Sequence, residues 1–366
     1  MWLRRHIWME YVRRNVMNKL SIIMVVMVLS SVFSCGNAQN DLTDGSETAE
    51  DIDFCDDLFV DRNSNENDIN FDTDPDYGVD EDIEIDPCIG DLKIKTVSEL
   101  EAILHCVEIT GNLSFNKSDL EEISMPNLVS VKSLTITQNS LLLSASFPVL
   151  QKMEGNLVLE ENPVIETVSL PLLETSELVV VKYNYKLLSF SLPALMTALF
   201  IEIESNHVLT HIDLNVIDNS LVIRITNNAS LISFSMPALT NLEGYFLFMS
   251  NMVVETFSLP ELDFVGEDFG VTSNYKLKSF SLPQLKKINK NLMIGGCAGT
   301  EGEDCLYGFG NPELTSFDLS SLSFVGRDFE ISYNYELPTS TAEALREQVL
   351  SKEGIGGSIE ISNNKE

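Results

Sequence analysis

From residue 107 to the end of the chain one phrase returns every 22–23 residues, and this repeat restricts the fold more than any other feature. Each copy reads as an alternating apolar strand, an Asn, two residues, an aliphatic, and then Ser-Leu-Pro-x-Leu or a close variant. The recurring Asn residues are Asn139, Asn162, Asn184, Asn206, Asn228, Asn251, Asn274, Asn311 and Asn334, at spacings of 23, 22, 22, 22, 23, 23, 37 and 23. An aliphatic follows each of them by three places, from Leu142 and Ile165 to Leu314 and Leu337. Prolines keep the same beat at Pro126, Pro148, Pro171, Pro193, Pro237, Pro260 and Pro283, with Asp213–Ile217 and Asp318–Leu322 as substitutes.

A period of this length is one coil of a solenoid. No coil can bury its inner face alone, so stability must come from stacking each coil on its neighbours. The expected fold is therefore mainly β: a parallel β-helix or leucine-rich-repeat-like solenoid of about ten coils, roughly 48 Å long at the usual strand spacing. In the strand Leu221–Thr226, alternation predicts Leu221, Ile223 and Ile225 inward and Arg224 outward. A carboxamide both donates and accepts, so an inward Asn at each turn can serve its own coil and the next. Asn also tolerates the left-handed conformation that a tight corner needs. The regular Asn residues read as structural, and the prolines, placed in the second short strand, suit a corner.

The spacing of 37 equals one coil of 23 plus 14 extra residues, which fall in the Gly-rich stretch 295–310. Cys297 and Cys305 within it read as a local disulfide pinning an inserted loop. Both ends of such a rod need caps. Residues 96–105 read as a short helix with Ser98 as N-cap and Glu101 completing a capping box. Cys88 and Cys106 flank that helix, and a bridge between them would staple it to the first coil. Residues 340–350 read as a second helix capped by Ser340 or Thr341, followed by a strand over 358–362.

Charge divides the chain into three zones. The formal charge is −33, of which residues 1–35 carry +4 and residues 36–90 carry −18, leaving −19 for the remaining 276 residues. The head reads as a targeting signal: Lys19 precedes the apolar run Leu20–Phe33, which is too short to span a bilayer as a mature helix. Its ending, Val32-Phe33-Ser34-Cys35, resembles the bacterial lipoprotein box, which implies lipidation of Cys35, export, and a membrane anchor. Gly36 after that Cys implies the outer membrane. The zone 36–87 reads as an acidic, extended linker. Its Asp72, Asp74 and Asp76 imitate the opening of a calcium loop, but Gly78 falls one place late and Ile83 holds the twelfth position, so the segment reads as solvated spacer. Cys55 is left without an evident partner.

The solenoid itself, residues 88–366, resembles the receptor L-domain, the ligand-binding solenoid of the insulin and epidermal growth factor receptors. The resemblance is carried by Cys88-Ile-Gly-Asp-Leu-Lys-Ile-Lys95, the short helix, Cys106-Val-Glu-Ile-Thr-Gly-Asn-Leu-Ser-Phe115, and the recurring Gly-Asn-Leu and Asn-x-x-Leu phrases. The chain also resembles bacterial lipoproteins that carry such coils after an acidic linker, the match covering about residues 88–366. The resemblance implies a right-handed β-helix and recognition of an extracellular partner. The receptors' cysteine-rich module, membrane helix and kinase have no counterpart here, so hormone signalling is not implied.

The expected function is that of a non-enzymatic, lipid-anchored surface protein that binds or adheres to an extracellular protein or glycan. Tyr183 and Tyr185 flank Asn184, Tyr333 and Tyr335 flank Asn334, and Tyr275 follows Asn274, so all five should align along one edge and form the candidate ligand surface. Val158 and Val180, one coil apart, hint at a small apolar patch. The alternatives are a structural envelope protein and a carbohydrate-active β-helix enzyme. An enzyme would need carboxylates converging on a groove, whereas Glu202, Glu204, Asp268 and Glu330 read as scattered solvating positions. His207 and His211 lack a recurrent partner, so no metal, cofactor or catalytic residue is expected. The acidic balance opposes nucleic-acid binding.

Overall fold

A computed structural model describes residues 88–296 and 310–366. Cys35, Cys55, Asp72–Gly78, Cys297 and Cys305 lie outside the described residues.

Alternation within each repeat produces two kinds of strand. Long strands such as Thr175–Lys182 and Thr197–Glu204 pair in parallel, in register, with the corresponding strand one coil away. Short strands such as Ser189–Ser191 and His211–Asp213 do the same on a second side. Every pairing between named strands is parallel, and the described residues form a β-solenoid of about nine turns. One coil shows how the core is made: Val179, Val181, Asn184, Leu187, Phe190, Leu192 and Leu195 all turn inward and are at most 2% exposed. Leu221 departs from the alternation. It is half-buried in the bend between Asn219–Ser220 and Val222–Thr226, and Ser220 takes the inward place instead.

The Asn residues form a continuous ladder. Each main-chain N–H from Asn139 to Asn311 donates to the Oδ1 of the next Asn, at 3.0–3.2 Å. Each Nδ2 reaches back to a carbonyl in the preceding coil, as Asn206 does to Val181. Ser118 opens the ladder against Asn139 and Asn364 closes it beyond Asn334, a final rung outside the nine regular ones. The left-handed corner residue is not the Asn, however, but the residue before it. Lys117, Gln138, Glu161, Tyr183, Ser205, Asn227, Ser250, Ser273, Tyr333 and Asn363 all have φ between 51° and 58°. The buried Asn must aim its carboxamide along the rod, and the preceding residue reverses the chain so that it can. Gly310 holds this phase after the insertion, where a Cβ would lie 1.8 Å from the Tyr333 carbonyl oxygen.

The insertion leaves the stacking register intact. Leu292–Gly295 pairs with Phe329–Ser332, and Ser279–Ser281 with Ser316–Asp318, each 37 residues apart. Prolines lie just past the short strands, in the turns, where Leu195 N–H closes onto the Leu192 carbonyl at 3.1 Å. Inside the C-terminal half, Phe234, Phe257, Phe280 and Phe317 stack from coil to coil, with centroids 5.2–5.7 Å apart.

Both caps are present with different N-termini from those expected. Helix α1 spans Val97–Ile103, and its capping box is Thr96 with Glu99, not Ser98 with Glu101. The Glu99 carboxylate accepts from the Lys95 and Thr96 N–H groups, which holds it below its usual range. Helix α2 spans Thr339–Leu350 after Pro338 and has no side-chain cap. It buries Ala342, Leu345 and Val349, and Gln348 Nε2 donates to the Leu319 and Leu322 carbonyls.

A second ladder, invisible to the repeat phrase, ties the starts of the long strands. Asp268 Oδ1 accepts from the N–H and side chain of Asn291, Asn291 Oδ1 from Asp328 N–H, and Asp328 Oδ1 from the N–H and hydroxyl of Ser358. Asp91 receives Asn112 in the same way at the other end. These bonds hold the Asp91 and Asp328 carboxyls below the ordinary range. A folded pKa under the unfolded one gives stability that is complete above the ordinary range and is lost as pH falls through the folded value. On acidification, the amides of Ile359–Ser362 should therefore lose hydrogen-exchange protection before mid-rod strands do. Asp328→Asn should remove that pH dependence; uniform loss along the rod would contradict the assignment.

Candidate binding surface

The corner after each Asn is where the repeat exposes aromatic and aliphatic side chains. Tyr185, Tyr275 and Tyr335 occupy the position following the ladder Asn and are 42%, 60% and 52% exposed. Tyr183 and Tyr333 hold the left-handed position and are less exposed. The structure thus brings the five tyrosines to one corner but splits them into two columns. His207, one coil beyond Tyr185 at the same phase, stacks on its ring with centroids 5.0 Å apart. Burial and Glu204 raise the Tyr183 hydroxyl above its ordinary value.

The same corner carries Leu143, Leu188 and Ile232, all exposed, on alternate rungs of one main-chain hydrogen-bonded column that runs through Glu166 and Thr210. Alternate rungs lie about 9.6 Å apart. Met252 and Val253 extend the exposed apolar edge toward Tyr275. A chain reversal leaves side chains at these positions pointing away from the core, so their apolar character is not required by packing.

The outward side of the long strands differs from the expectation of scattered acids. Glu202 and Glu204 each pair with both Lys182 and Arg224, at 2.5–3.6 Å. Burial opposes the Arg224 charge, but Glu204 and Glu202 more than offset it and raise its pKa. Burial pushes the Glu160 carboxyl up, against the opposing influence of Lys182 opposite it. Glu330 is likewise raised by burial, although Ser332 donates to it, and Asp268 belongs to the strand-start ladder. Around this cluster, Val158 and Val180 are neighbours in register, as expected from their spacing. Leu178, Phe200 and Val222 form a second outward apolar column that motif reading missed. Aligning outward positions at the repeat period, rather than inward ones, would have revealed it.

The remaining candidates go to separate partners. His211 Nδ1 lies 2.9 Å from the Thr210 hydroxyl, so His207 and His211 do not converge. A shallow depression of about 480 Å³ lies over the later short strands, lined in part by Ser258, Ser281, Phe317 and Asp318. Cys88 and Cys106 form the disulfide that ties the N-terminal cap to the first coil, with Cα atoms 5.7 Å apart. Among the described residues, no helix is long and apolar enough to cross a membrane.

These features define a disulfide-capped parallel β-solenoid with an exposed aromatic corner. No family model matches the chain, and neither a curated protein nor a solved structure matches it.

Proposed function

We propose that the chain is a non-enzymatic binding or adhesion module that grips an extracellular protein or glycan along its aromatic corner. The observation that carries this reading is the column of Tyr185, Tyr275 and Tyr335, exposed at one phase of a stacked rod. Tyr offers a flat apolar face and a hydroxyl on a stiff side chain, which suits stacking on sugars and anchoring proteins. The parallel hydrogen-bonded stack fixes the spacing of these rings before any ligand arrives, which limits the ordering cost of binding. The likeness of residues 88–366 to receptor L-domains supports the same reading. Export and anchoring through a lipid on Cys35, with 36–87 as acidic spacer, complete the proposal.

Glycan-array and whole-cell pull-down measurements with residues 88–366 test it. Binding is expected, and replacing Tyr185, Tyr275 and Tyr335 together by Ala should weaken it at least tenfold. An unchanged signal in the triple variant, or no bound glycan or protein at all, sinks the proposal. Polysaccharide turnover abolished by one Asp or Glu substitution would replace it with an enzyme. Palmitate labelling lost in Cys35→Ala tests the anchor.

A further inference from the structure

Five consecutive coils share one nearly uncharged side. It is built on the short strands Ser144–Ser146, Thr167–Ser169, Ser189–Ser191, His211–Asp213 and Ser233–Ser235, which follow one another along the rod. Leu143, Leu188 and Ile232 directly precede the first, third and fifth of these strands, while Leu172 and Val216 lie three residues past the second and fourth. All five are 41–55% exposed. Phe190 and Ile212 already close the core beneath them, so packing within the chain does not call for these side chains.

Charge sets this side apart from the rest of the body. The stretches 143–149, 166–172, 188–194, 210–216 and 232–238 hold two carboxylates, Glu166 and Asp213, and no Lys or Arg. Residues 91–366 carry −19 as a whole, so two copies of the chain repel one another on most approaches. Acid returns at both margins, with Glu121 and Glu122 one coil before and Glu255 and Glu261 one coil after. The uncharged face is where two such bodies can meet, since interface centres are depleted of charge.

We propose that this face is the contact between two copies of the chain, related by a two-fold axis along the strand Ser189–Ser191. The order of its side chains is symmetric about that strand: Leu143 and Ile232 lie two coils to either side of Leu188, and Leu172 and Val216 one coil to either side. With the second rod reversed, Leu188 meets Leu188 of the second copy, Leu143 meets Ile232, and Leu172 meets Val216. The two carboxylates meet hydroxyls, Glu166 against Thr210 and Asp213 against Ser169. A two-fold contact requires this order and closes on itself; neither a glycan nor an unrelated protein requires it. The face runs about 19 Å along the rod and about 20 Å across. Roughly 400 Å² per copy is half of a standard interface, which makes the dimer weak and concentration-dependent. This contact stands apart from the tyrosine column, and its test reads mass rather than a ligand.

The test uses the full chain with Cys35→Ser and Cys55→Ser, so that neither a lipid nor a stray thiol joins copies. Sedimentation equilibrium should show monomer below about 1 µM and dimer at hundreds of µM. Added salt should strengthen association by screening the two acidic bodies. Leu188→Glu places two carboxylates on the axis and should raise the dissociation constant at least tenfold with unchanged circular dichroism. Leu350→Glu changes a comparably exposed residue on α2 and should leave association as it was. A short bismaleimide should join copies of Ser189→Cys above the parent background, but not copies of Ser279→Cys, four coils further along. A chain that stays monomeric at every concentration overturns the proposal. So does a dimer that Leu188→Glu leaves intact, or one that Ser189→Cys fails to link. A monomer whose binding to a neutral glycan falls in Leu188→Glu would also overturn it, giving the face to sugar instead.

Discussion

Asn206→Ala should lower the unfolding free energy by about 3–5 kcal/mol, since it leaves buried main-chain groups without partners. Asn206 is completely buried. Its Oδ1 accepts from the N–H and Nδ2 of Asn184, and its Nδ2 donates to the Val181 and Glu204 carbonyls and to Asn228 Oδ1. Truncation strands the Asn184 N–H and the Val181 carbonyl together, so the loss exceeds that of one hydrogen bond. Asn206→Asp should cost at least as much, because a carboxylate would face three acceptors where the amide donates. In a rod whose coils contact only their neighbours, hydrogen-exchange protection should fall first at the rungs of Asn184 and Asn228. Ser205→Gly is the control: it relieves a left-handed non-glycine residue and should leave stability unchanged or raised. Urea unfolding followed by circular dichroism decides the matter, and an Asn206→Ala loss under about 1 kcal/mol would contradict the ladder's role.

The second large effect is expected at Phe257. Its ring lies 5.2 Å from Phe234, 5.1 Å from Phe248 and 5.2 Å from Phe280 by centroid, with Phe246 at 6.3 Å. Phe257→Ala removes the ring from the centre of that group and should cost about 3–5 kcal/mol. The main-chain ladders on both sides hold the coils at fixed spacing, so the walls cannot collapse into the void. Phe257→Leu keeps most of the apolar contact and loses the aromatic pairs, each worth about 0.5–1.5 kcal/mol, so its loss should be clearly smaller. Equal losses in the two variants would show that cavity volume is not the controlling quantity.

Much of this architecture is legible in the amino-acid sequence alone. Inward positions such as Ile203, Leu209 and Phe257 repeat because every coil must present the same shape to the next, and the phrase reports that demand directly. The Asn column was equally visible, since a buried carboxamide has few substitutes at a corner. The candidate surface was only half legible. Tyr185, Tyr275 and Tyr335 were found by their phase to the Asn, but the stacking of His207 on Tyr185 and the apolar run of Leu188 and Ile232 obey no repeated phrase. Outward residues answer to partners or solvent as well as to the neighbouring coil, so only some of them, such as Leu178, Phe200 and Val222, keep the repeat period.

The repeat by itself determined the coil length, the parallel stack, the inward residues and the structural role of the Asn ladder, because each follows from one periodic packing requirement. Tertiary structure alone decided which residue at each corner turns left-handed, and that Thr96 rather than Ser98 caps α1. It also decided that Glu202 and Glu204 spend their charge on Lys182 and Arg224, and that His105 comes within reach of Cys88. These contacts join residues about one coil apart in the chain that become neighbours only once stacking sets the lateral register. Periodicity specifies that register for the core, while the surface pairings depend on the particular side chains each coil happens to bring to it.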